Sequence, residues 1–410
     1  MNDKMKSILQ GVKVLDLSRV MAGPLCTQWL ADLGATVYKI ERPGVGDDMR
    51  HILPHLPGSS GSGGPTSTSY AALNRGKKSI TIDISTGAGQ SIIRKLALRC
   101  EILVENYKAG DLARYGLDYA SLRPTHADLI YCSITGYGQD GPLAARPGYD
   151  PVFQAISGMM STCGVPDGQP GAGPQRTTVP FTDVMTGMVA TTAVLAALLH
   201  QRGGHGGQHI DLALIDVAMA AMMPYAQTYL STGKVTGRSG NTSVLFAPSN
   251  CYTCAGGRFI LVQVGNDLQW TRLCAALGRD DWKQDARFAS NPERLKHSAE
   301  LNGMLNAALS HWDLHALATL LGDAGVACAP VNSIAEAFEH PQVQHRQIRI
   351  EVDDPVHGKL PMVRSPLRYS ETPVIHGVLP QLGQHTDEVL QQELQMDSAD
   401  IGVLRGQGVV

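Results

Sequence analysis

Charge of neither sign prevails in this chain. Its 34 Lys and Arg face 37 Asp and Glu, a net charge of −3 at pH 7. A nucleic-acid binder normally carries a basic excess, so that class is set aside. Cysteine is sparse and scattered: the eight residues at 26, 100, 132, 163, 251, 254, 274 and 328 form no paired framework. A reducing compartment, the cytoplasm, is therefore the expectation. Only Cys251 and Cys254 make a C-x-x-C, with no second pair and no histidine at metal spacing, so no metal site is expected. Nucleotide fingerprints are missing as well. GVGDDM (44–49) lacks the third glycine of G-x-G-x-x-G, and nothing matches G-x-x-x-x-G-K-[ST], which removes most ground for NAD or ATP chemistry. No apolar h-region follows MNDKMKSILQ, so no signal peptide is expected. The longest nearly apolar run, 188–199, falls short of the about 20 residues a bilayer span needs, so no membrane association is expected.

What is present is a chain of 410 residues, 43% apolar and 17% charged, enough for two or three domains with a large core. Strand-like and helical patterns alternate over the first 140 residues. VKVLDL (12–17), TVYKIE (36–41), SITIDI (79–84), 101–104 and 129–134 are β-rich. Segments 24–33, 88–100 and 109–117 carry helical spacing, with Leu25, Trp29 and Leu33 on one face. Such alternation predicts parallel pairing in a Rossmann-like, doubly wound α/β sheet. PGSSGSGGPTSTS (57–69) predicts a surface loop. HIDLALIDVAMAAMMPYAQTYL (209–230) reads as a strand turning into a buried helix, and a polar Gly/Ser segment at 232–243 ends that pattern. CYTCAGGRFILVQV (251–264) begins afresh as a hairpin, with helical stretches to 325. The predicted division is a large α/β domain over 1–220, a linker over 221–249, a small α+β domain over 250–335, and a return to the large domain over 336–410. PQLGQHTDEVLQQELQ (380–395) predicts a helix in that return.

The stretch VPFTDVMTGMVATTAVLAALLH (179–200) holds a single acid, Asp183. Strand-like TTVPF (177–181) runs into it, and a helix apolar nearly all round, hence buried, follows. An acid at that point ordinarily caps the helix by accepting from its first N–H groups. The helix dipole favours the ionised form of a group whose ordinary pKa is about 3.9. A fixed, ionised, buried carboxylate also suits nucleophilic attack on an activated acyl group. The residues alone leave both roles open.

The opening GVKVLDLSRVMAGPLCTQWLADLGATVYKIERPGVGDDMR (11–50) resembles the N-terminal signature of the class III CoA-transferases, a superfamily that includes formyl-CoA transferase, carnitine CoA-transferase and the α-methylacyl-CoA racemases. The resemblance continues in LNRGKKSITIDI (73–84), LVENYKAGDLARYGL (103–117), IYCSITGYGQDGP (130–142), PGYDPVFQAISGMM (147–160), TDVMTGMVA (182–190), GQHIDLALID (207–216) and LGQHTDEVL (382–390). It implies that Asp183 is the nucleophile, passing through an aspartyl anhydride and an aspartyl-CoA thioester. It also implies a CoA site formed by Val20, Met21 and Ala22 after the first strand, with Arg42, Leu73, Asn74, Lys77, Asn106, Tyr107 and Arg114. The substrates implied are an acyl-CoA and a free carboxylic acid, with no permanently bound cofactor, and the assembly implied is an interlocked homodimer.

Racemases of the superfamily carry a His where PGYD places Tyr149, and a phenol of ordinary pKa about 10 replaces it poorly as a base. The resemblance therefore favours the transferase over a racemase, with Tyr149 lining the acyl pocket. A non-catalytic CoA-binding protein is the alternative of another class, and an intact Asp183 and Tyr149 oppose it. The formyl-CoA transferase type carries a long glycine-rich loop over the nucleophile. The Arg238–Asn241 region here is shorter and lacks four consecutive glycines, which argues against formyl/oxalate chemistry, and the resemblance implies Asn241 in the substrate pocket. In wording the blocks are most similar to succinate–hydroxymethylglutarate CoA-transferases, which implies a short dicarboxylate. Arg75, Arg146 and Arg176 are the candidates for its distal end.

Overall fold

The structure, a computed structural model, describes residues 7–58 and 66–410. Its centre is a parallel sheet of β1 (Lys13–Asp16), β2 (Thr36–Glu41), β3 (Lys78–Thr81), β4 (Ile102–Glu105), β5 (Ile130–Thr135) and, last in the chain, His209–Ala213. A two-residue hairpin, β6 (Gly164–Val165) with β7 (Gly173–Pro174), intervenes in sequence and pairs only with itself, so the sixth sheet strand is β8. The order β3-β2-β1-β4-β5-β8 is the doubly wound arrangement that the alternating pattern predicts. IYCSIT of β5 is buried throughout, as a parallel strand covered on both faces must be. Alternate side chains feed two cores: Val14 and Cys132 face one, Leu15 and Tyr131 the other.

The helices follow from local signals. α1 (Ala22–Asp32) opens directly off the β1 turn, and α2 (Thr68–Asn74) starts where the Ser67 hydroxyl accepts from the Tyr70 N–H. Thr68 and Ser69 are thus helical rather than loop, while residues 59–65 of the expected 57–69 loop lie outside the described residues. Thr86 caps α3 (Gly87–Ala97) in the same way. The helix expected over 109–117 is only a single tight turn, Ala113–Tyr115, stopped by Gly116 at φ 63. Short α4 (Tyr119–Leu122), α5 (Asp150–Ile156) and α6 (Met159–Thr162) precede α7 (Phe181–Arg202). At 22 residues α7 exceeds the apolar run of 188–199 and, by length and composition alone, is long enough to cross a membrane. Ala190, Val194 and Leu198 instead place it in the core beside Cys26 and Leu30 of α1. Residues 177–180 are not a strand; Pro180 begins the helix. The single helix expected to 230 divides into α8 (Leu214–Ala221) and α9 (Met223–Thr232), because Pro224 supplies no N–H.

The chain packs as two units. One comprises Met1–Met159, Thr177–Gly233 and Gln344–Val410; the other comprises Met160–Arg176 and Lys234–Val343. The expected boundaries shift accordingly. Residues 160–176 leave the large unit, 221–233 belong to it rather than to a linker, and the return begins at Gln344. The second unit sets β9 (Ser249–Thr253), β10 (Phe259–Gln263) and β11 (Ala327–Pro330) in an antiparallel sheet over a core with Trp270, Trp282 and Phe288. The returning segment forms the hairpin β12 (Arg349–Asp354) and β13 (Gly358–Val363). It ends with Val409 and Val410 buried in the same core as Leu15 and Ile93, where the Val409 carbonyl accepts from the Asp83 N–H at 2.8 Å.

Candidate active site

In a doubly wound sheet, ligands sit beyond the carboxyl ends of the strands where the winding reverses. Here that point lies between β1 and β4. The chain leaving β1 is clasped by Asn106, just past β4: the Arg19 N–H donates to its Oδ1 at 2.8 Å, and its Nδ2 donates to the Arg19 carbonyl at 2.7 Å. The next residue, Val20, is left-handed at φ 68, which a β-branched side chain adopts only under constraint. Its N–H donates to Asp47 Oδ1 at 3.2 Å. A cleft opens beside this turn, lined by Leu17, Arg19, Arg42, Asp48, Ile84 and Tyr107.

Below the turn lies a dense buried charge network. Lys39 Nζ binds Asp47 Oδ2 at 2.7 Å and the Ser18 carbonyl at 2.5 Å, and Glu41 holds Arg50 through both Nε and Nη2 at 2.7 Å. Lys77 Nζ donates to Asp16 Oδ2 (3.0 Å), the Pro24 carbonyl (2.9 Å) and Asn74 Oδ1 (3.0 Å). Burial alone raises the Asp16 carboxyl, but Lys77, Lys39 and the Ser18 and Thr27 hydroxyls outweigh it and hold the group below the usual carboxylate range. Buried ions persist when their partners are complete, and this set fixes the backbone that carries Val20.

Asp183 sits in the first turn of α7, half-buried, and its side chain caps nothing. Asp150 takes the capping role from the start of α5. Its Oδ2 accepts from the N–H groups of Thr182 (2.6 Å) and Asp183 (3.2 Å). Its Oδ1 accepts from Gln154 Nε2 at 2.6 Å, and Gln154 Oε1 accepts from the Thr177 N–H at 2.9 Å. Burial first, and the Asp150 carboxylate second, push Asp183 up to about 7. The expectation of a fully ionised, dipole-stabilised group is therefore corrected: an anion already occupies the helix N-terminus. One turn on, Gly187 shares the face of Asp183. A Cβ there would stand 2.8 Å from the Ala22 carbonyl and 3.0 Å from the Leu25 side chain, so α1 and its turn press directly on α7.

The structure gathers most of the candidates for CoA around that turn, but not all in a binding posture. Val20, Met21 and Leu73 share one apolar cluster with Met49 and Tyr70, while Ala22 begins α1. Arg42 is exposed and paired with Asp48 at 2.9 Å, and Arg19 stacks over Tyr107 at 5.5 Å. Arg114 is exposed and paired with Asp111 at 3.0 Å. Lys77 and Asn74 are corrected: both are buried, and all three Lys77 donors are committed to Asp16, Pro24 and Asn74. Arg75 is likewise committed, with Nε and Nη2 on Asp32 and Nη1 on the Val363 carbonyl, so it leaves the candidates for a distal carboxylate. Arg146 is exposed in the large unit; Arg176 and Asn241 are exposed in the second unit. Tyr149, the residue before Asp150, is 71% exposed. Sequence reasoning missed Asp150 and Asp47. The signal for Asp150 was present in its place before Pro151, which marks it as the opening of a helix.

The sequence pattern of CoA-transferase family III matches residues 9–386. A succinate–glutarate CoA-transferase of Agrobacterium fabrum is 40% identical over 94% of this chain and 96% of its own length. The Homo sapiens succinyl-CoA:glutarate CoA-transferase is 36% identical over 98% of this chain and 90% of its own. Among solved structures, a CAIB/BAIF family protein from Brucella suis superposes with a TM-score of 0.84 at 35% identity, covering 94% of this chain and 99% of that one. With the sheet order and the blocks around its turns in agreement, the chain belongs to CoA-transferase family III.

Proposed function

We propose that this transferase moves CoA from an acyl-CoA to a short dicarboxylate, with Asp183 as the nucleophile. The Asp183 carboxylate attacks the donor thioester carbonyl and expels CoA thiolate, leaving a mixed anhydride. The thiolate attacks the aspartyl carbonyl, forming the aspartyl-CoA thioester and releasing the donor acid as its carboxylate. The acceptor carboxylate then attacks that thioester, and the returning thiolate takes the acceptor acyl group and frees Asp183. No net proton is consumed, and each step replaces attack by a weak carboxylate on a distant thioester with attack inside the site.

The observation that carries this reading is the position of Asp183. It is a helix-start carboxylate relieved of capping by Asp150, and it shares a face with the glycine that touches Ala22. The cleft with Arg19, Arg42 and Tyr107 suits the nucleotide: guanidinium groups for phosphate, an aromatic face for the base. The dicarboxylate rests on the succinate–glutarate relatives, and Arg146 is the large unit's uncommitted candidate for its far end. Tyr149 in place of a basic imidazole speaks for transfer over α-proton exchange. Resident cofactor or metal is not required by any step.

A homodimer is part of the proposal. Ile156, Leu199, Met223, Tyr229 and Leu230 of α5, α7 and α9 are exposed apolar side chains of one chain, an area that a second copy would cover. A dimer mass independent of concentration is expected, and a stable monomer would refute it. The cytoplasm is proposed from the eight unpaired cysteines, several deeply buried.

Trapping tests the chemistry. Incubation with succinyl-CoA followed by hydroxylamine or borohydride should leave a mass change on the peptide bearing Asp183. An unmodified Asp183 in protein that still turns over would sink the nucleophile. A screen of free acids against succinyl-CoA and acetyl-CoA, following new thioesters by mass, identifies the acceptor; transfer to monocarboxylates in preference to dicarboxylates would overturn the substrate class.

A further inference from the structure

We propose that Asp150 is a positioning residue for transfer: its carboxylate holds the first turn of α7 by the backbone of Asp183 itself and occupies the positive end of that helix, leaving the nucleophile without the donors that would quiet it. The inference rests on Asp183 as the nucleophile.

Asp150 is 4% exposed and Gln154 is fully buried, so the centre of the chain Thr177 N–H, Gln154, Asp150, Thr182 and Asp183 N–H is buried, while its two ends at Thr177 and Asp183 are part-buried. Each group in it has one compatible orientation. Gln154 donates its amide to Asp150 and accepts from Thr177, so its flip is excluded, and Asp150 must present acceptors on both oxygens. A carboxylate does this; an amide cannot. The helix N-terminus ordinarily stabilises a nearby anion. In α7 the Thr182 and Asp183 N–H groups serve Asp150, so the Asp183 carboxylate gains neither hydrogen bond. An anion so little stabilised is the more basic and the more nucleophilic toward an acyl carbon.

Other charges around α7 do not share this role. α7 packs against α1, α5, α8, β5 and β8. α1 offers only Asp32, paired with Arg75 at its far end. α8 offers Asp216, exposed, and β5 offers Tyr131 and Cys132 without a formal charge. On β8, His209 meets Ser133 and Asp211 accepts from the Gln139 N–H. His200 and Arg202 lie at the other end of α7. Among the described residues, Asp150 is the one charge acting on Asp183, in the same direction as burial.

The test is the pH dependence of kcat for CoA transfer in the full-length protein, with Asp150→Asn and Asp150→Glu beside the native enzyme. The native acid limb is expected near pH 7. In Asp150→Asn it should move down by roughly one pH unit, the effect of one like charge nearby, with a lower plateau rate and little change in KM. Asp150→Glu keeps the charge but displaces the oxygens by one methylene, so its acid limb should stay in place while kcat falls several-fold. An acid limb at one pH in the native and Asn enzymes refutes the proposal, as does a Glu variant with native kcat. Should Asp150→Asn not fold, the Glu variant decides alone. Asp183→Asn, run in parallel, separates the two levels: if it retains turnover, the nucleophile is wrong, whereas its inactivity with an unmoved acid limb in Asp150→Asn condemns the positioning role only.

Discussion

Replacing Asp183 by Asn should make the protein inactive and, above pH 7, more stable. Burial and the neighbouring Asp150 push the native group up to about 7, whereas in the unfolded chain it titrates near about 3.9. The folded state therefore binds this proton more tightly than the unfolded state does. For a raised acid the sign is fixed: stability falls as pH climbs from about 4 to about 7 and is flat above, once both states are ionised. Taken whole, the gap corresponds to about 4 kcal/mol, and the partial exposure of Asp183 lowers this to about 2–4 kcal/mol. Asparagine has nothing to ionise and removes no cap, because Asp150 makes the capping bonds. Denaturant unfolding of both proteins from pH 4.5 to 8.5 is the assay, with transfer rates measured on the same samples. The curves should converge toward pH 4 and separate to that size by pH 7, while transfer falls by about a thousandfold or more. Parallel stability curves would show that Asp183 is not strained in the fold. Turnover near the native rate would return it to a structural role.

Gly187→Ala forces a Cβ to 2.8 Å from the Ala22 carbonyl. Overpacking of about 1–3 kcal/mol should exceed the about 1 kcal/mol of helix propensity gained, and KM for the acyl-CoA should rise. Gly303→Ala, on the exposed face of the helix Ser298–Leu309 with open space around it, should gain about 1 kcal/mol; equal denaturant midpoints for the two variants would refute the close crossing. Lys77→Met leaves Asp16 buried without its cation and should cost about 3–5 kcal/mol by chemical denaturation, against near neutrality if Lys77 merely lay on the surface. Tyr149→Phe should keep part of the transfer activity, and Tyr149→His should not gain racemisation. Rapid α-deuterium exchange of a 2-methylacyl-CoA in heavy water by the native protein, without acceptor acid, would favour the racemase.

The sheet was legible because its strands are short apolar runs with helical spacing between them; TVYKIE is β2 residue for residue. Asp183 stood out as one acid before a long apolar helix. Its partner did not, because Asp150 lies 33 residues earlier in the chain, and its caps are tertiary bonds that no local pattern encodes. The same limit explains Lys77 and Arg75. Both read as cations free to meet a ligand until Asp16 and Asp32, 61 and 43 residues away, are seen to neutralise them. The 109–117 segment failed for a different reason: helical spacing was present, but Gly110 at φ 83 and Gly116 at φ 63 bracket it. Boundaries between the units were the least legible, since the chain changes unit inside α6, where composition does not.

The burial of Val409 and Val410 has a consequence for synthesis. Every residue of the second unit has been translated by Val343, whereas the first unit still lacks the helices and the terminal valines that cover Leu15, Ile80 and Ile93. At translation rates of about 5–20 residues per second, that apolar face of the nascent sheet waits roughly 3–13 s for its cover. The unit encoded in the middle can thus mature before the first unit closes over its sheet. Nascent chains arrested near residue 345 should recruit chaperones at the bare sheet face, and release of the final segment should discharge them.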